Sequence, residues 1–192
     1  MGTQLRINAM HLKSKLEYES ADFINDPCIV AFCGDIGVGK STLAHDLSDL
    51  CGGAVLSFAD PLREMIGCIV DNDYLTSKMV DGVRAKDLPI PWLGSPEPVT
   101  GRVLLQKCGT EFGRDMIDPN IWVKVAQQRI EGYDPDRHIF FDDLRFNNEA
   151  EMIRSLGGLV VEVKRRGYSN KSDTHKSEMG VSPRYINGVY NL

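Results

Sequence analysis

The sequence predicts an α/β fold in which helices flank a mostly parallel central sheet. The first observation is a continuous apolar run at 28–33 that ends at a glycine, because a strand buried on both faces shows no polar alternation. The second is that three further apolar runs follow, at 54–58, 138–142 and 159–163. The third is that helical patterns separate these runs, as is typical of parallel sheets.

The elements between the strands show helical spacing or helix end signals. Leu43, Leu47 and Leu50 share one face of the helix that follows the first strand. Asp118 and Pro119 suit the N-cap and the first position of a later helix. The predicted helices are 41–50, 62–70, 100–108 with Gly109 as its end, one opened by Asp118 and Pro119, and 148–156 closed by Gly157 and Gly158.

Other parts of the chain give weaker patterns. Residues 1–26 are polar and mixed, and we interpret them as an N-terminal extension of a single domain over 27–192. Residues 71–100 are dense in turn formers, which predicts a long irregular insertion, either a lid or a disordered surface loop. The stretch 168–192 is predicted to be loop, with a short helix near 182–186.

Composition argues against several classes of protein. The chain has 192 residues and a formal net charge of -5, an acidic balance that is unusual for nucleic-acid-binding proteins. No apolar run approaches the roughly 18 residues of a membrane span, and no signal peptide is evident. The 5 cysteines lack metal-ligand spacing and indicate reduced thiols in a cytosolic protein. We therefore expect a cytoplasmic protein with no nucleic-acid or membrane partner. The sequence does not decide whether the protein forms a homodimer.

A phosphate-binding loop is predicted directly after the first strand. Residues 34–41 fit the pattern G-x-x-x-x-G-K-[ST] in full, and the pattern lies between an apolar strand and a helix, as this motif requires. Glycines at Gly34, Gly37 and Gly39 let backbone N–H groups, with those of Asp35 and Val38, surround a phosphate. The segment therefore predicts binding of a nucleoside triphosphate.

Three side chains of this loop suit a triphosphate and its metal. Lys40 can reach the β- and γ-phosphates, and the Ser41 hydroxyl can bind Mg²⁺. A second hydroxyl, on Thr42, can contact the α-phosphate. ATP and Mg²⁺ are the expected cofactors. The loop alone does not separate a kinase from a hydrolase or a nucleotide-dependent switch.

A charged group follows the run 138–142. Asp142, Asp143 and Arg145 come where a parallel sheet places its ligand crevice. Either carboxylate could hold the metal or its water, and Arg145 could neutralise a transferring phosphoryl group. The structural alternative is a helix N-cap beside a solvated arginine, with Arg145 and Glu149 forming an i, i+4 ion pair.

A second polar group lies near the predicted helix 100–108. Arg102 and Gln106 would share one face, with Gly109 and Thr110 just beyond, and such groups can bind a phosphate and a base edge. Exposed polar residues on a helix are the simpler interpretation.

Two further features allow more than one interpretation. Trp122 fits a core stripe better than a wall for base stacking. Arg165 and Arg166, after the last predicted strand, suit a nucleotide clamp and a solvated turn equally well.

Taken together, these segments resemble the bacteriophage-type deoxynucleoside monophosphate kinases over residues 28–178. The matching segments are 34–42, 58–62, 105–111, Asp118 and Pro119 with Trp122, 143–150 and 175–178. One departure is Ser41, where some phage relatives have an aspartate, and this difference bears on the metal ligands.

The resemblance implies a P-loop kinase fold, a three-layer sandwich, and transfer of the γ-phosphoryl group of ATP to a deoxynucleoside monophosphate (dNMP), in the host cytoplasm if the chain comes from a phage. It implies catalytic roles for Lys40, Asp143 and Arg145. The acceptor-binding residues that it implies are Arg102, Gln106, Gly109, Thr110, Trp122, Asp143, Arg145 and Glu149. A kinase for another small phosphorylated acceptor and a nucleotide-binding switch module are the alternatives.

Overall fold

The computed structural model describes residues 29–75, 79–80, 83–94, 96–168 and 180–192. The predicted extension 1–26, Cys28 and the matching segment 175–178 lie outside these residues. The described chain divides into two units. The first contains the residues up to Phe58 and from Ala126 onward, and the second contains Ala59–Val125.

Strands and helices alternate along most of the chain. In chain order the strands are β1 (Ile29–Cys33), β2 (Ala54–Leu56), β3 (Met79–Val80), β4 (Val83–Arg84), β5 (Ile139–Phe141), β6 (Leu159–Lys164) and β7 (Gly188–Asn191). The α-helices are α1 (Lys40–Cys51), α2 (Asp60–Gly67), α3 (Gly101–Gln106), α4 (Ile121–Glu131) and α5 (Asn147–Ser155). Apart from the elements discussed below, the predicted strands and helices are confirmed, with small differences at their ends.

The first unit is built on one five-stranded sheet, in which the strand order is β2-β5-β1-β6-β7. Every neighbouring pair in it is parallel. β1 is central because its side chains are apolar on both faces, and Val30, Ala31 and Phe32 are fully buried. The sheet and its flanking helices confirm the predicted α/β sandwich.

Helices cover the two faces of this sheet. Val30 and Phe32 belong to the same core cluster as Leu43 and Leu47 of α1. Successive side chains of a strand point to opposite faces, so Ala31 faces the other layer, where α5 packs against β1 and β6. Among the described residues, no helix combines the length and the apolar character needed to cross a bilayer.

A buried glutamate fixes the beginning of α5. The Oε2 atom of Glu149 accepts hydrogen bonds from the backbone N–H groups of Arg145, at 2.8 Å, and Phe146, at 3.0 Å. The first N–H groups of a helix have no partner within the helix, so such an acceptor stabilises the helix end. Glu149 is only 2% exposed, so this acceptor lies inside the protein and not in solvent.

The second unit has its own apolar core. Leu62, Ile66, Val70, Leu75, Ile90 and Trp122 form it. The predicted insertion 71–100 supplies two of these residues, Leu75 and Ile90, and its described part contains short 3₁₀ turns and the β3–β4 hairpin. Since both side chains are almost fully buried, the interpretation of 71–100 as a disordered surface loop is wrong for the described part.

The predicted end of the third helix at Gly109 is wrong. A π-helix, Lys107–Ile117, follows α3 without a break. Gly109 is a packing position and not a terminator, because a Cβ there would lie 2.9 Å from Leu62 Cδ2. A Cβ at Gly113 would lie 2.6 Å from Trp122 Cζ2. Glycine at these two positions lets the helix approach its neighbours closely.

The C-terminal stretch is more ordered than predicted. The expected helix near 182–186 is a single 3₁₀ turn, Pro183–Tyr185, and the strand β7 was missed. β7 pairs with β6, and its Tyr190 is buried in the same core cluster as β1. A short edge strand is stabilised by a partner distant in sequence, which local patterns do not show.

Replacing Glu149 with alanine is expected to lower the free energy of unfolding by about 2 kcal/mol, because two partly buried N–H groups lose their acceptor. Chemical denaturation of the wild type and the variant measures this difference. The matched control is Glu151→Ala, which removes an exposed carboxylate from the same helix and should change stability by less than about 0.5 kcal/mol. Equal effects of the two substitutions would contradict the capping role.

Candidate active site

The phosphate-binding loop leaves β1 through backbone conformations that favour glycine. Gly34, Gly37 and Gly39 have φ values of 130°, 79° and 112°. A Cβ at Gly34 would also lie 2.4 Å from the carbonyl oxygen of Val163 on β6, far inside van der Waals contact. The two glycines that the motif fixes, and Gly37 between them, therefore suit the shape of the loop.

The lysine of the loop is already held against it. Lys40 is the first residue of α1, and its Nζ donates to the carbonyl oxygens of Gly34, at 2.8 Å, and Asp35, at 2.9 Å. The ammonium group therefore lies beside the backbone that the motif assigns to the phosphates. A fixed cation next to backbone N–H groups and the positive end of a helix is a favourable site for an anion.

The other predicted nucleotide-binding residues fall into two kinds. Ser41 and Thr42 are exposed on the first turn of α1, where their hydroxyls are accessible. Val38 is 2% exposed and its side chain is in the core, so only its backbone can face a ligand. Its N–H donates to Asp35 O at 3.3 Å, which closes the turn of the loop.

Two carboxylates follow β5 at the same edge of the sheet. Asp142 Oδ1 accepts from Ser57 Oγ at 2.5 Å, and Asp143 Oδ1 accepts from the Phe58 N–H at 2.8 Å. Leu144 N–H donates to Phe32 O at 3.2 Å, so this segment runs beside the end of β1. The sheet therefore brings the carboxylates and the phosphate-binding loop to one edge, as predicted.

Oxygen donors at this edge fit a magnesium ion. Ser41 offers a hydroxyl and Asp142 a half-buried carboxylate, and Mg²⁺ prefers such ligands. Within the described ranges, no cluster of three or more His, Cys, Asp or Glu side chains forms a complete metal site. This donor set suits an ion that also takes ligands from substrate phosphates and water.

Arg145 is positioned through its backbone. Its N–H is one of the two held by the Glu149 carboxylate, and its side chain is half-buried. The sequence left open an ion pair between these two residues, and the structure shows a hydrogen bond from the Arg145 main chain to the Glu149 side chain. Glu149 therefore helps to position the backbone of Arg145.

The remaining predicted acceptor residues lie in the second unit. Arg102 Nε lies 2.5 Å from Asp87 Oδ1, and Gln106 is half-buried at the end of α3. Gly109 and Thr110 are buried in the π-helix, and the Trp122 indole N–H donates to Gly109 O at 2.7 Å. Trp122 is 8% exposed, which agrees with the core interpretation of this residue.

Sequence reasoning missed two polar residues that contact these motifs. Arg114 is 7% exposed in the π-helix, and its Nη1 donates to Pro119 O at 3.0 Å. The hydroxyl of Tyr168 donates to Ile36 O in the phosphate-binding loop at 2.6 Å. Arg114 follows Thr110 by four residues, about one helical turn, so this spacing could have drawn attention to it. No feature of the local sequence links Tyr168 to Ile36.

A cysteine lies at the base of the phosphate-binding loop. Cys33 ends β1 and is buried, and burial raises the pKa of its thiol to about 12, with a further increase from the nearby Glu162 carboxylate. The thiol therefore stays neutral near pH 7 and is a poor nucleophile. Its role is that of a small apolar side chain.

Comparison with known proteins agrees with these features. Residues 91–190, just over half of the chain, match the model of a family described as deoxynucleotide monophosphate kinase. This match contains the acceptor-side segments and excludes the phosphate-binding loop. The phosphate-binding loop and the match to the family model are therefore two separate observations.

Two viral proteins are similar to the chain. One, from Acanthamoeba polyphaga mimivirus, is 30% identical over an alignment of 163 positions, and this alignment covers 79% of this chain and 80% of that protein; its name assigns it provisionally as a deoxynucleotide monophosphate kinase. The other, the deoxynucleoside-5'-monophosphate kinase of Escherichia phage T5, is 36% identical over 95 residues, 46% of this chain and 37% of that protein. The family match and the similarity to the mimivirus protein together show that the chain belongs to the deoxynucleotide monophosphate kinase family.

Proposed function

We propose that this protein transfers the γ-phosphoryl group of ATP to a dNMP, giving a dNDP and ADP, with Mg²⁺ as the metal. The observation that carries the proposal is the phosphate-binding loop, with Lys40 held against it and two carboxylates at the neighbouring strand end. Family membership favours a nucleotide monophosphate as the acceptor.

Binding of the donor would rest on the loop and α1. The loop N–H groups and the Lys40 ammonium would surround the β- and γ-phosphates, with the Thr42 hydroxyl near the α-phosphate. Ser41 and Asp142 would hold the metal, directly or through water, and bound Mg²⁺ neutralises charge on the phosphates.

Arg145 is proposed to stabilise the negative charge that spreads over the transferring phosphoryl group. Phosphoryl transfer asks for positioning and electrostatic stabilisation more than for covalent chemistry. An acceptor phosphate oxygen is already ionised near neutral pH, so no strong base is needed. Asp143, buried and bound to the Phe58 N–H, suits a role in orientation and not in proton abstraction.

For the acceptor, we propose direct contacts from the half-buried side chains of Arg102 and Gln106 and a supporting role for Gly109, Thr110, Trp122 and Glu149. The last four are buried, and the hydrogen bonds of Trp122 and Glu149 hold the backbone that carries the polar residues. A cytoplasmic location and the absence of nucleic-acid and membrane partners are part of the proposal, and light scattering would decide whether the protein is a homodimer.

A panel of acceptors and donors tests the function directly. Purified protein with ATP is expected to convert dNMPs faster than NMPs or sugar phosphates, with ADP formed in equal amount. GTP belongs in the panel because residues 170–173, outside the described part, read Asn-Lys-Ser-Asp, a pattern known from guanine-binding proteins. Slow hydrolysis without any acceptor and without a new diphosphate would favour the switch module instead.

Replacing Lys40 with alanine is expected to lower kcat/KM at least about 100-fold, because the transition state loses a fixed positive charge. ADP formation in the presence of a dNMP measures the effect, and circular dichroism checks the fold. The control is Lys124→Ala, which removes an exposed ammonium from α4 and should leave turnover unchanged. Wild-type turnover in Lys40→Ala would reject the role of the loop.

Replacing Arg145 with alanine is expected to lower kcat by about 100-fold while the KM for ATP changes little, since the guanidinium acts on charge that develops in the transition state. Steady-state kinetics with varied ATP and fixed dNMP separate the two constants. Arg154→Ala, an exposed arginine on α5, is the matched control. A normal kcat in Arg145→Ala would make this residue purely structural.

A further inference from the structure

A hydrogen bond joins the phosphate-binding loop to the turn that follows β6. The Tyr168 hydroxyl donates to the Ile36 carbonyl oxygen at 2.6 Å, although the residues are 132 positions apart. Ile36 is the third residue of the loop motif, directly before Gly37. The contact therefore reaches the centre of the segment that is proposed to hold the phosphates.

The turn after β6 is shaped to bring Tyr168 to the loop. The Tyr168 N–H donates to Arg165 O at 3.1 Å, which closes a four-residue turn, and Gly167 has a positive φ of 73° at the third position, as a type II turn needs. The end of β6 also approaches the loop, at Gly34 through Val163, and Arg165 Nη2 in the turn would lie 3.8 Å from a Cβ on Gly39.

Peptide planarity gives the Tyr168 contact a consequence for phosphate binding. The Ile36 carbonyl and the Gly37 N–H belong to one rigid trans peptide, so they point in opposite directions. A donor that fixes the carbonyl on one side of the loop therefore fixes the N–H on the other. Loops of this type bind phosphate through N–H groups that are turned inward together.

We propose that Tyr168 is a positioning residue for ATP. Its hydroxyl holds the Ile36–Gly37 peptide so that the Gly37 N–H faces the concave side of the loop and donates to the polyphosphate. Tyr168 itself needs no contact with the nucleotide. The inference rests on the proposed function, because it takes ATP as the ligand of the loop.

The variant Tyr168→Phe tests this role because it removes only the hydroxyl. The Kd for ATP with Mg²⁺, measured by isothermal titration calorimetry, should rise about fivefold, as expected for the loss of one neutral hydrogen bond. The KM for ATP should rise by the same factor, while kcat and the KM for the dNMP stay at wild-type values. In NMR spectra, the shift of the Gly37 amide on adding ATP should become smaller.

The matched control is Tyr185→Phe, which removes a hydroxyl that accepts a hydrogen bond from Arg184 Nη2 in the same unit. It should bind ATP like the wild type. Unchanged ATP affinity and an unchanged Gly37 response in Tyr168→Phe would overturn the proposal, as would equal losses in both variants. If the wild type itself fails to bind ATP, the proposed function fails as well, so the two failures are distinguishable.

Discussion

The approach of the phosphate-binding loop to β6 is the constraint on which the site depends. Gly34 lies so close to the Val163 carbonyl that no side chain fits between them. Because β1 lies between β5 and β6, a loop that leaves β1 here is bordered by the ends of both neighbours. The strand order thus gathers a cation, backbone N–H groups and carboxylates that are far apart in sequence.

Most of the first unit could be predicted from local sequence. A strand buried on both faces must be apolar throughout, and a helix beside it must carry an apolar stripe, so β1 and α1 are visible in the printed sequence. The π-helix and β7 are different. A glycine can end a helix, or it can permit close packing, as Gly109 and Gly113 do against Leu62 and Trp122. The local sequence does not distinguish these two roles. The edge strand β7 depends on its partner β6.

The candidate site also has one part that local sequence predicts and another part that depends on tertiary contacts. The phosphate-binding loop is contiguous, so its chemistry follows from one motif, and the structure gives the loop the expected backbone. Polar residues outside it have partners distant in sequence: Asp143 with Phe58, Arg102 with Asp87, and Tyr168 with Ile36. Their residue types indicate the chemistry that is available. Which of them supports another residue and which faces a ligand depends on tertiary contacts.

The π-helix also affects how related chains should be aligned. Its carbonyls bond five residues ahead, as Gly113 O does with Asp118 N, so each turn holds one more residue than the α form would need. A homologue that lacks one residue between Lys107 and Ile117 can keep an unbroken helix by winding it more tightly. The tighter winding takes up the missing residue, so the side chains before and after the segment keep their relative orientation; without it, they would be rotated by about 100°, the step per residue in an α-helix. A gap in this segment therefore marks a local change of winding within a shared fold.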